Sequence, residues 1–229
     1  MTTSSSSKAN VTTSLVLGLL ALQVALSAGI LLRVNEVYRL VMKTGSTASG
    51  STTDIALVDD VSPDDDPFVG PVNAPITIVE FSDFGCAHCR VAQETLDQVK
   101  REYGDRVRIV FRDFPLEGPG SPSFQAALAA ECADDQTAFW PMHDLLFASQ
   151  PAFDRGSLRG YAAQLGLDTE QFGRCLDSEQ VQAEIEHDRA DGRSYGVSAT
   201  PTFFVNGRRL VGSVSYSVFA RAVEDALHQ

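Results

Sequence analysis

Hydrophobic and polar positions divide the chain into a short N-terminal part and a longer folded part. Residues 1–13 are rich in Ser and Thr, which is typical of a disordered segment. Residues 14–32 are uncharged and mainly Leu, Val and Ala, and this length suffices for one helix across a bilayer. We therefore expect a transmembrane helix with a short stalk over residues 14–43. Residues 44–66 are rich in Gly, Ser and Thr and then acidic, which predicts a flexible acidic linker.

A cleaved signal peptide is the alternative interpretation of this apolar run. Signal peptides have a shorter apolar core and a basic leader, whereas Lys8 alone is basic before the run. The length of the run favours an uncleaved anchor, and cleavage near residues 25–28 stays the alternative. Apolar residues keep helical spacing over residues 33–43, so this stalk is either a dimerisation element or a solvated or membrane-surface helix end.

Five short segments of the folded part, residues 67–229, predict β-strands. They are residues 68–69, 76–82, 106–111, 202–205 and 208–211. The second is a continuous apolar, β-branched run, which indicates a buried strand. The third alternates charged and aliphatic side chains. The last two flank Asn206-Gly207, the strongest two-residue signal for a hairpin.

Helical spacing of apolar residues predicts seven helices. They cover residues 85–103, 123–133, 136–148, 157–165, 169–175, 181–195 and 216–227. Five of them form a block, residues 121–195, that no β signal interrupts. The order of strand, helix, strand, helical block, hairpin and helix predicts an α/β fold. We expect a sheet with a helical insertion after the strand at residues 106–111.

Composition limits the classes of function. The chain has 229 residues, enough for one domain of ordinary size with additional segments. Its formal net charge of −12 argues against nucleic-acid binding, which usually needs a basic face. The four cysteines fall as one close pair, Cys86 and Cys89, and two distant single residues, Cys132 and Cys175.

The close pair, Cys86-Ala87-His88-Cys89, lies where the buried strand gives way to a helix. Two cysteines at this spacing can form a disulfide, and a strand that delivers them to a helix N-terminus is typical of a redox site. The helix dipole and the first N–H groups favour the thiolate of Cys86, and a protonated His88 would add a positive charge. We expect a low pKa at Cys86, with Cys89, one turn on, as the resolving thiol.

A zinc half-site or a structural disulfide is the alternative interpretation of this pair. Zinc sites usually take four ligands, often in two pairs, and the sequence has no second Cys-x-x-Cys and no His-x-x-x-His. His143, His187 and His228 have no partner at a ligand spacing. The acidic cluster of the linker lacks the Gly and the closing Glu of an EF-hand loop. The sequence therefore predicts no metal and no cofactor.

Three motifs give the chain a resemblance to a known family. Residues 74–89 are APITIVEFSDFGCAHC, residues 111–116 are FRDFPL, and residues 197–207 are VSATPTFFVNG. Together they resemble the DsbA-like thiol-disulfide oxidoreductases over residues 67–229. The resemblance implies a thioredoxin fold with an inserted helical domain, and disulfide exchange as the activity.

The motif and the resemblance together suggest roles for six residues. They are Cys86, Cys89, His88, Glu80, Thr200 and Pro201. The resemblance implies that Cys86 is the nucleophile and that Pro201 is a cis-proline, which turns the Thr200 backbone toward an extended peptide substrate. Glu80 lies on a mostly apolar strand, so we expect a buried carboxyl group with a raised pKa that takes the proton of Cys89. A trans proline and a solvent-facing Glu80 are the alternatives.

Two positions depart from the pattern of the best-known strong oxidants of the family. Those proteins carry Pro where this chain has Ala87, and often Val where it has Thr200. Thr at that position also occurs in isomerase and reductase relatives. The resemblance therefore supports disulfide exchange and leaves its direction open.

Cys132 and Cys175 both lie in the helical block, where some relatives have a second disulfide. Such a bond would close a loop of about 44 residues and stabilise the fold by about 4 kcal/mol. Two buried free cysteines are the alternative. Export favours the disulfide, because an exported domain meets an oxidising environment.

These features predict a membrane-tethered oxidase that donates its disulfide to cysteine-containing proteins folding outside the cytoplasm. We expect its domain on the periplasmic or extracytoplasmic side of the inner or plasma membrane, with re-oxidation by a membrane protein of the DsbB or VKOR type. Arg33, Arg39 and Lys43 follow the apolar run, and such basic residues favour the cytoplasmic side instead. We follow the redox argument, since a whole domain can be exported regardless of nearby charges. The alternatives are a reductase or isomerase of the same fold and, from another class, a non-catalytic binding module or metallochaperone.

Overall fold

The computed structural model describes residues 61–229 continuously, together with Gln23, Gly29, Arg33, Glu36 and Val58. Among these residues no helix is both long and apolar enough to cross a membrane. The predicted transmembrane helix and stalk, residues 14–43, lie almost wholly outside the described residues. The same is true of the candidate dimerisation element, residues 33–43, so both stay predictions.

Five strands form the described sheet. They are β1 (Phe68–Val69), β2 (Ile76–Ser82), β3 (Val107–Asp113), β4 (Thr202–Val205) and β5 (Arg208–Val211). Their order across the sheet is β1-β3-β2-β4-β5. Strands β2 and β3 run parallel, and the other neighbouring pairs are antiparallel. Strand β3 extends beyond its predicted end at residue 111, because the polar side chains of Arg112 and Asp113 are buried.

The described residues contain seven α-helices. They are α1 (Ala87–Tyr103), α2 (Pro122–Asp134), α3 (Phe139–Ala148), α4 (Arg155–Gln164), α5 (Thr169–Cys175), α6 (Glu179–Ser194) and α7 (Tyr216–Leu227). Four of the helices begin at a side-chain cap that accepts hydrogen bonds from first-turn N–H groups: Ser121, Asp154, Asp168 and Ser178. All helix boundaries lie within three residues of the predicted ones.

Alternation along β2 assigns its side chains to opposite faces of the sheet. Ile78 packs with Leu96 of α1 and with residues of α7 on one face. Val79 belongs to a second apolar cluster on the other face. Glu80 has the same parity as Ile78, so its carboxyl group lies on the side of α1. The alternation therefore places an acid in an otherwise apolar layer.

Helices α2 to α6 form the helical block, which lies in the chain between β3 and β4. An apolar cluster fills the block and includes Phe84 and Phe111, at the carboxyl ends of β2 and β3. Cys132 of α2 and Cys175 of α5 are joined in a disulfide, with Cα atoms 5.6 Å apart. The helical block is therefore packed directly against the end of the sheet that carries the thiol pair.

The carboxyl end of the predicted acidic linker, residues 61–66, is packed against the folded domain. Asp64 and Asp66 form ion pairs at 3.4 and 2.9 Å with Arg112, whose side chain has 0% relative exposure. Asp188 of α6 lies 2.5 Å from the same guanidinium. The expectation of a flexible linker is wrong for these residues, because a buried cation needs carboxylates around it.

Candidate active site

Cys86 and Cys89 lie at the junction between the carboxyl end of β2 and the N-terminus of α1. Cys86 is the N-cap residue of α1, with extended backbone angles (φ −82°, ψ 120°), and Cys89 lies in the first turn. The Cys86 side chain is partly exposed, whereas Cys89 has 0% relative exposure. Both are free thiols. This arrangement places one sulfur at the surface and its partner beneath it.

The surroundings of Cys86 favour its thiolate. They lower the pKa of the Cys86 thiol to about 5, mainly through a hydrogen bond from the Cys89 thiol. Thr200 and the backbone N–H groups of Cys89 and His88 add to this effect, while partial burial opposes it. Both N–H groups belong to the first turn of α1, at the positive end of the helix dipole. The low pKa expected from the sequence therefore has a structural cause, and Cys86 is ionised at neutral pH.

The surroundings of Cys89 favour its protonated thiol instead. Burial raises the pKa of the Cys89 thiol far above its usual range, and the hydrogen bond to Cys86 and the charge of Glu80 raise it further. The backbone N–H of Asp83 donates to the Cys89 sulfur at 3.5 Å. Cys89 is therefore protonated while Cys86 is ionised, which suits a resolving thiol and a nucleophile.

Glu80 lies beneath the thiol pair and has only 1% relative exposure. The Ser82 hydroxyl donates to Glu80 Oε1 at 2.8 Å, and the Gln93 amide of α1 donates to the same oxygen at 3.0 Å. Burial raises the pKa of Glu80 to about 7, although both hydrogen bonds act in the opposite direction. A carboxyl group that titrates near neutral pH can exchange a proton with Cys89. No sequence pattern pointed to Ser82 or Gln93.

Thr200 and Pro201 stand beside Cys86 at the start of β4. The peptide bond between them is cis. The carbonyl oxygen of Thr200 accepts a hydrogen bond from the Cys86 thiol at 3.5 Å. The Thr200 hydroxyl is buried without a hydrogen-bond partner in the described part of the chain, and Thr200 adds to the lowering of the pKa of Cys86.

His88 is exposed on the first turn of α1. Its ring Nδ1 lies 3.5 Å from the hydroxyl of Ser213, which follows β5. The backbone N–H of His88 contributes to the low pKa of Cys86. A tuning role for the imidazole itself stays a prediction.

The turn before Cys86 is held by residues for which we made no sequence prediction. Asp83, which is 4% exposed, accepts hydrogen bonds from the backbone N–H groups of Gly85 at 2.7 Å and Leu116 at 2.9 Å. A Cβ at Gly85 would meet the Ser123 hydroxyl at 2.1 Å, so a larger residue there would force Ser123 to change its side-chain conformation. Asp often bonds to the backbone two residues on in a turn, and this signal was available at Asp83.

Away from the thiols, Asp64, His187 and Asp191 bring potential metal ligands within 4.8 Å of one another. Asp64 and Asp191 also pair with the guanidinium of Arg112, at 3.4 and 3.1 Å, which offsets their negative charge. The ion pairs of Arg112 account for this cluster. The expectation of no metal and no cofactor stays a prediction.

The chain is similar to known proteins in sequence and in fold. A family model described as Thioredoxin matches residues 62–225. A thioredoxin-like oxidoreductase from Silicibacter pomeroyi DSS-3 has 30% identity and a TM-score of 0.65, over 72% of this chain and 93% of that one. The thiol-disulfide exchange protein alpha-DsbA2 from Wolbachia pipientis has 22% identity and a TM-score of 0.63, over 70% of this chain and 86% of that one. At this identity the second similarity shows a shared fold.

A curated relative is named for another activity. The Na(+)/H(+) antiporter NhaA of Herminiimonas arsenicoxydans is 43% identical over 177 residues, which is 76% of this chain and 28% of the antiporter. This chain therefore spans little more than a quarter of that relative's length.

The family match and the structural neighbours confirm the predicted thioredoxin-like α/β fold with added helices. They also support thiol-disulfide oxidoreductase activity in general, which is the chemistry that the contrast between Cys86 and Cys89 allows. The chain belongs to the thioredoxin family, and its structural neighbours include thiol-disulfide oxidoreductases of the DsbA family.

Proposed function

We propose that this protein is an oxidase that donates a Cys86–Cys89 disulfide to cysteine-containing proteins outside the cytoplasm. The observation that carries the proposal is the contrast between the two thiols: the pKa of Cys86 is lowered to about 5, and that of Cys89 is raised. A stabilised thiolate favours the reduced form of the pair. The disulfide form is therefore readily reduced, and it oxidises its partner.

Exchange proceeds in two displacements. In the first, a substrate thiolate attacks Cys86 Sγ, the Cys86–Cys89 bond breaks, and its electron pair leaves on Cys89, which takes up a proton. In the second, another substrate thiolate attacks the substrate sulfur of the mixed disulfide, and Cys86 leaves as a thiolate. The substrate loses two electrons as its disulfide forms, and the Cys86–Cys89 pair gains them. The low pKa of Cys86 makes it a good leaving group in the second displacement.

Glu80 is the proposed proton donor to Cys89 in the first displacement. Its pKa of about 7 means that the protonated and ionised forms coexist near neutral pH. The charge of Glu80 raises the pKa of Cys89, so the two groups sense each other electrostatically. Protonated Glu80 supplies the proton when Cys89 leaves, and ionised Glu80 accepts it when the pair is re-oxidised.

The cellular setting of the proposal comes from the N-terminal sequence and from the chemistry. The apolar run at residues 14–32 supports a single anchor in the inner or plasma membrane. The redox chemistry favours the extracytoplasmic side for the domain, because disulfides persist in oxidising compartments. The protein leaves each cycle reduced, so it needs an electron acceptor, and a quinone-linked membrane protein of the DsbB or VKOR type fits this need. Antiport is not proposed, because the match covers only 28% of the antiporter.

The redox equilibrium of the full chain with glutathione tests the direction of electron flow. We expect a reduction potential well above that of thioredoxin, which is about −270 mV. In a second assay, a reduced peptide with two cysteines should be oxidised by the wild-type protein. Cys89→Ser should trap a mixed disulfide at Cys86, and Cys86→Ser should be inactive. A potential at or below the thioredoxin value would refute the oxidase proposal.

A reductase or isomerase is the second candidate function, favoured by Ala87 and by Thr200 before Pro201. It predicts reduction of insulin, or reshuffling of scrambled disulfides, at rates above that of peptide oxidation. Isomerases of this kind usually dimerise, and residues 33–43 offer the candidate element. A monomeric protein without reshuffling activity would exclude the isomerase.

A further inference from the structure

The side chain of Gln150 reaches from the helical block to the turn that carries Cys86. Gln150 lies in the loop between α3 and α4. Its Nε2 group donates hydrogen bonds to the carbonyl oxygens of Phe84 and, at 3.2 Å, of Cys86. Its Oε1 atom accepts a hydrogen bond from Arg90 Nε at 3.1 Å. One carboxamide therefore joins the residues on both sides of the reactive thiol.

These three contacts match the chemistry of a carboxamide. Two of the partners are acceptors and the third is a donor, so the side chain between them has to donate and accept at once. A glutamate accepts from Arg90 but cannot donate to the carbonyls when ionised, and a lysine donates but cannot accept. The hydrogen-bond pattern therefore specifies a glutamine at this position rather than any long polar residue.

The loop that carries Gln150 is fixed to the helical block. Phe153, three residues on, is 2% exposed and belongs to the apolar cluster of the block. The hydroxyl of Tyr161 on α4 donates to the carbonyl oxygen of Ala152 at 2.9 Å. Because these two contacts fix the loop to the helical block, Gln150 restrains the turn that carries Cys86.

The contacts of Gln150 also bear on the charge at Cys86. The carbonyl oxygens of Phe84 and Cys86 carry partial negative charge next to the reactive residue. The Cys86 carbonyl already accepts the backbone N–H of Arg90 at 3.2 Å, so Gln150 supplies a second donor. Donors offset the negative end of a carbonyl, and Arg90 lies one turn after Cys86 on the same face of α1. Both effects favour a negative charge on the sulfur.

We propose that Gln150 is a positioning residue for disulfide exchange, which holds the Phe84–Cys86 turn and the Arg90 guanidinium in one arrangement around the reactive thiol. This inference rests on the proposed function. It names Gln150 as the residue through which the helical block acts on the thiol pair. Gln150 does not touch the reacting sulfur and works through backbone carbonyls. Through this contact the helical block sets how strongly the disulfide oxidises its partners.

Two variants of the full chain separate the contacts of Gln150. Gln150→Met keeps the size, adds no charge and removes all three hydrogen bonds, whereas Gln150→Glu keeps the acceptor for Arg90, removes both donors and adds a negative charge that itself raises the pKa of Cys86. The readouts are the pKa of Cys86, from the ultraviolet absorbance of the thiolate, and the redox equilibrium with glutathione. Both variants should raise the pKa of Cys86. The equilibrium should shift about three- to tenfold toward the disulfide form, as expected when part of the free energy of the two or three lost hydrogen bonds acts on the thiolate.

Gln136→Met is the matched control. Gln136 also bridges two segments of the helical block, since it donates to the carbonyl oxygen of Asp168 at 3.3 Å and accepts from its N–H at 2.8 Å. Its loss can lower the melting temperature but should leave the pKa of Cys86 and the equilibrium unchanged. Unchanged values in both Gln150 variants, or an equal shift in Gln136→Met, would overturn the proposal.

The two readouts distinguish this inference from the proposed function. The absorbance titration needs only the reduced protein, so it tests Gln150 whether or not the wild-type protein oxidises a substrate. A wild-type pair that is inert toward glutathione, with shifted titrations in the variants, would refute the proposed function and uphold Gln150. A wild-type pair that reacts with glutathione, with unshifted titrations in the variants, would uphold the proposed function and refute the role of Gln150. If Gln150→Met shifts the pKa of Cys86 and Gln150→Glu leaves it at the wild-type value, the effect comes from the contact with Arg90. That result would overturn the role of the carbonyl contacts.

Discussion

Replacement of Glu80 by Gln tests the buried acid beneath the thiols. Glu80 is 1% exposed, and burial raises its pKa from 4.5 to about 7 although Ser82 and Gln93 donate hydrogen bonds to it. Glutamine has nearly the same shape and never ionises. Both hydrogen-bonding neighbours can reorient around the new amide. Glu80→Gln therefore isolates the free-energy cost of a buried negative charge.

The size of the effect follows from the two pKa values. A carboxyl group whose pKa is raised in the folded state stabilises the fold fully below its unfolded pKa, here 4.5, and loses that contribution as the pH rises through about 7. Each pKa unit is worth about 1.4 kcal/mol, so the wild-type protein loses about 3 kcal/mol at high pH. Glu80→Gln should be the more stable protein by about 3 kcal/mol at pH 8.5 and by less than about 1 kcal/mol at pH 5.

Urea denaturation of the full chain between about pH 5 and pH 8.5 measures this difference. A Cys86→Ser background prevents the redox pair from forming, so no reductant is needed and the Cys132–Cys175 disulfide stays intact. Glu94→Gln, at an exposed position of α1, is the control and should change the free energy of unfolding little at any pH. A difference between Glu80→Gln and its parent that does not widen with pH would refute the raised pKa and the role of Glu80 as proton carrier.

Three further substitutions test other contacts. Arg112→Met should lower the free energy of unfolding by about 3–5 kcal/mol, because it leaves buried carboxylates without their cation; a loss below about 1 kcal/mol in urea denaturation would contradict this. The double substitution Cys132→Ala and Cys175→Ala opens a bond that spans 43 positions and should cost about 4 kcal/mol, visible as a lower melting temperature under non-reducing conditions. Gln93→Leu removes a donor from the Glu80 carboxylate, so NMR titration should show a still higher pKa for Glu80.

Local patterns were sufficient to predict the strand, the helix and the thiols between them. The β-branched run of β2 and the apolar spacing of α1 depend only on neighbours in the sequence. Helix α1 begins at Ala87, two residues after the predicted start, because Cys86 takes the capping position with an extended backbone. The same displacement puts the sulfur of Cys86 at the end of the helix, where the first N–H groups are free to stabilise it.

Contacts between distant segments could not be predicted in this way. Arg112 lies just beyond the predicted end of β3 at residue 111, although β3 continues through Asp113. Its partner Asp188 lies 76 positions away on α6, and Asp66 had been assigned to a flexible linker. Gln150 reaches the turn before α1 across 66 positions. The positions of these polar residues do not follow the periodicity of a helix or a strand, so only the folded chain shows that each has a specific partner.

The Cys132–Cys175 disulfide makes this protein a recipient of disulfides as well as a proposed source of them. The bond joins α2 to α5 inside the helical block, and Cys132 is fully buried. The folded block therefore shields the Cys132 sulfur from an oxidant in solution, whereas the unfolded chain exposes it. Under the proposed function, this bond places the chain itself within the class of cysteine-containing substrates that such an oxidase serves.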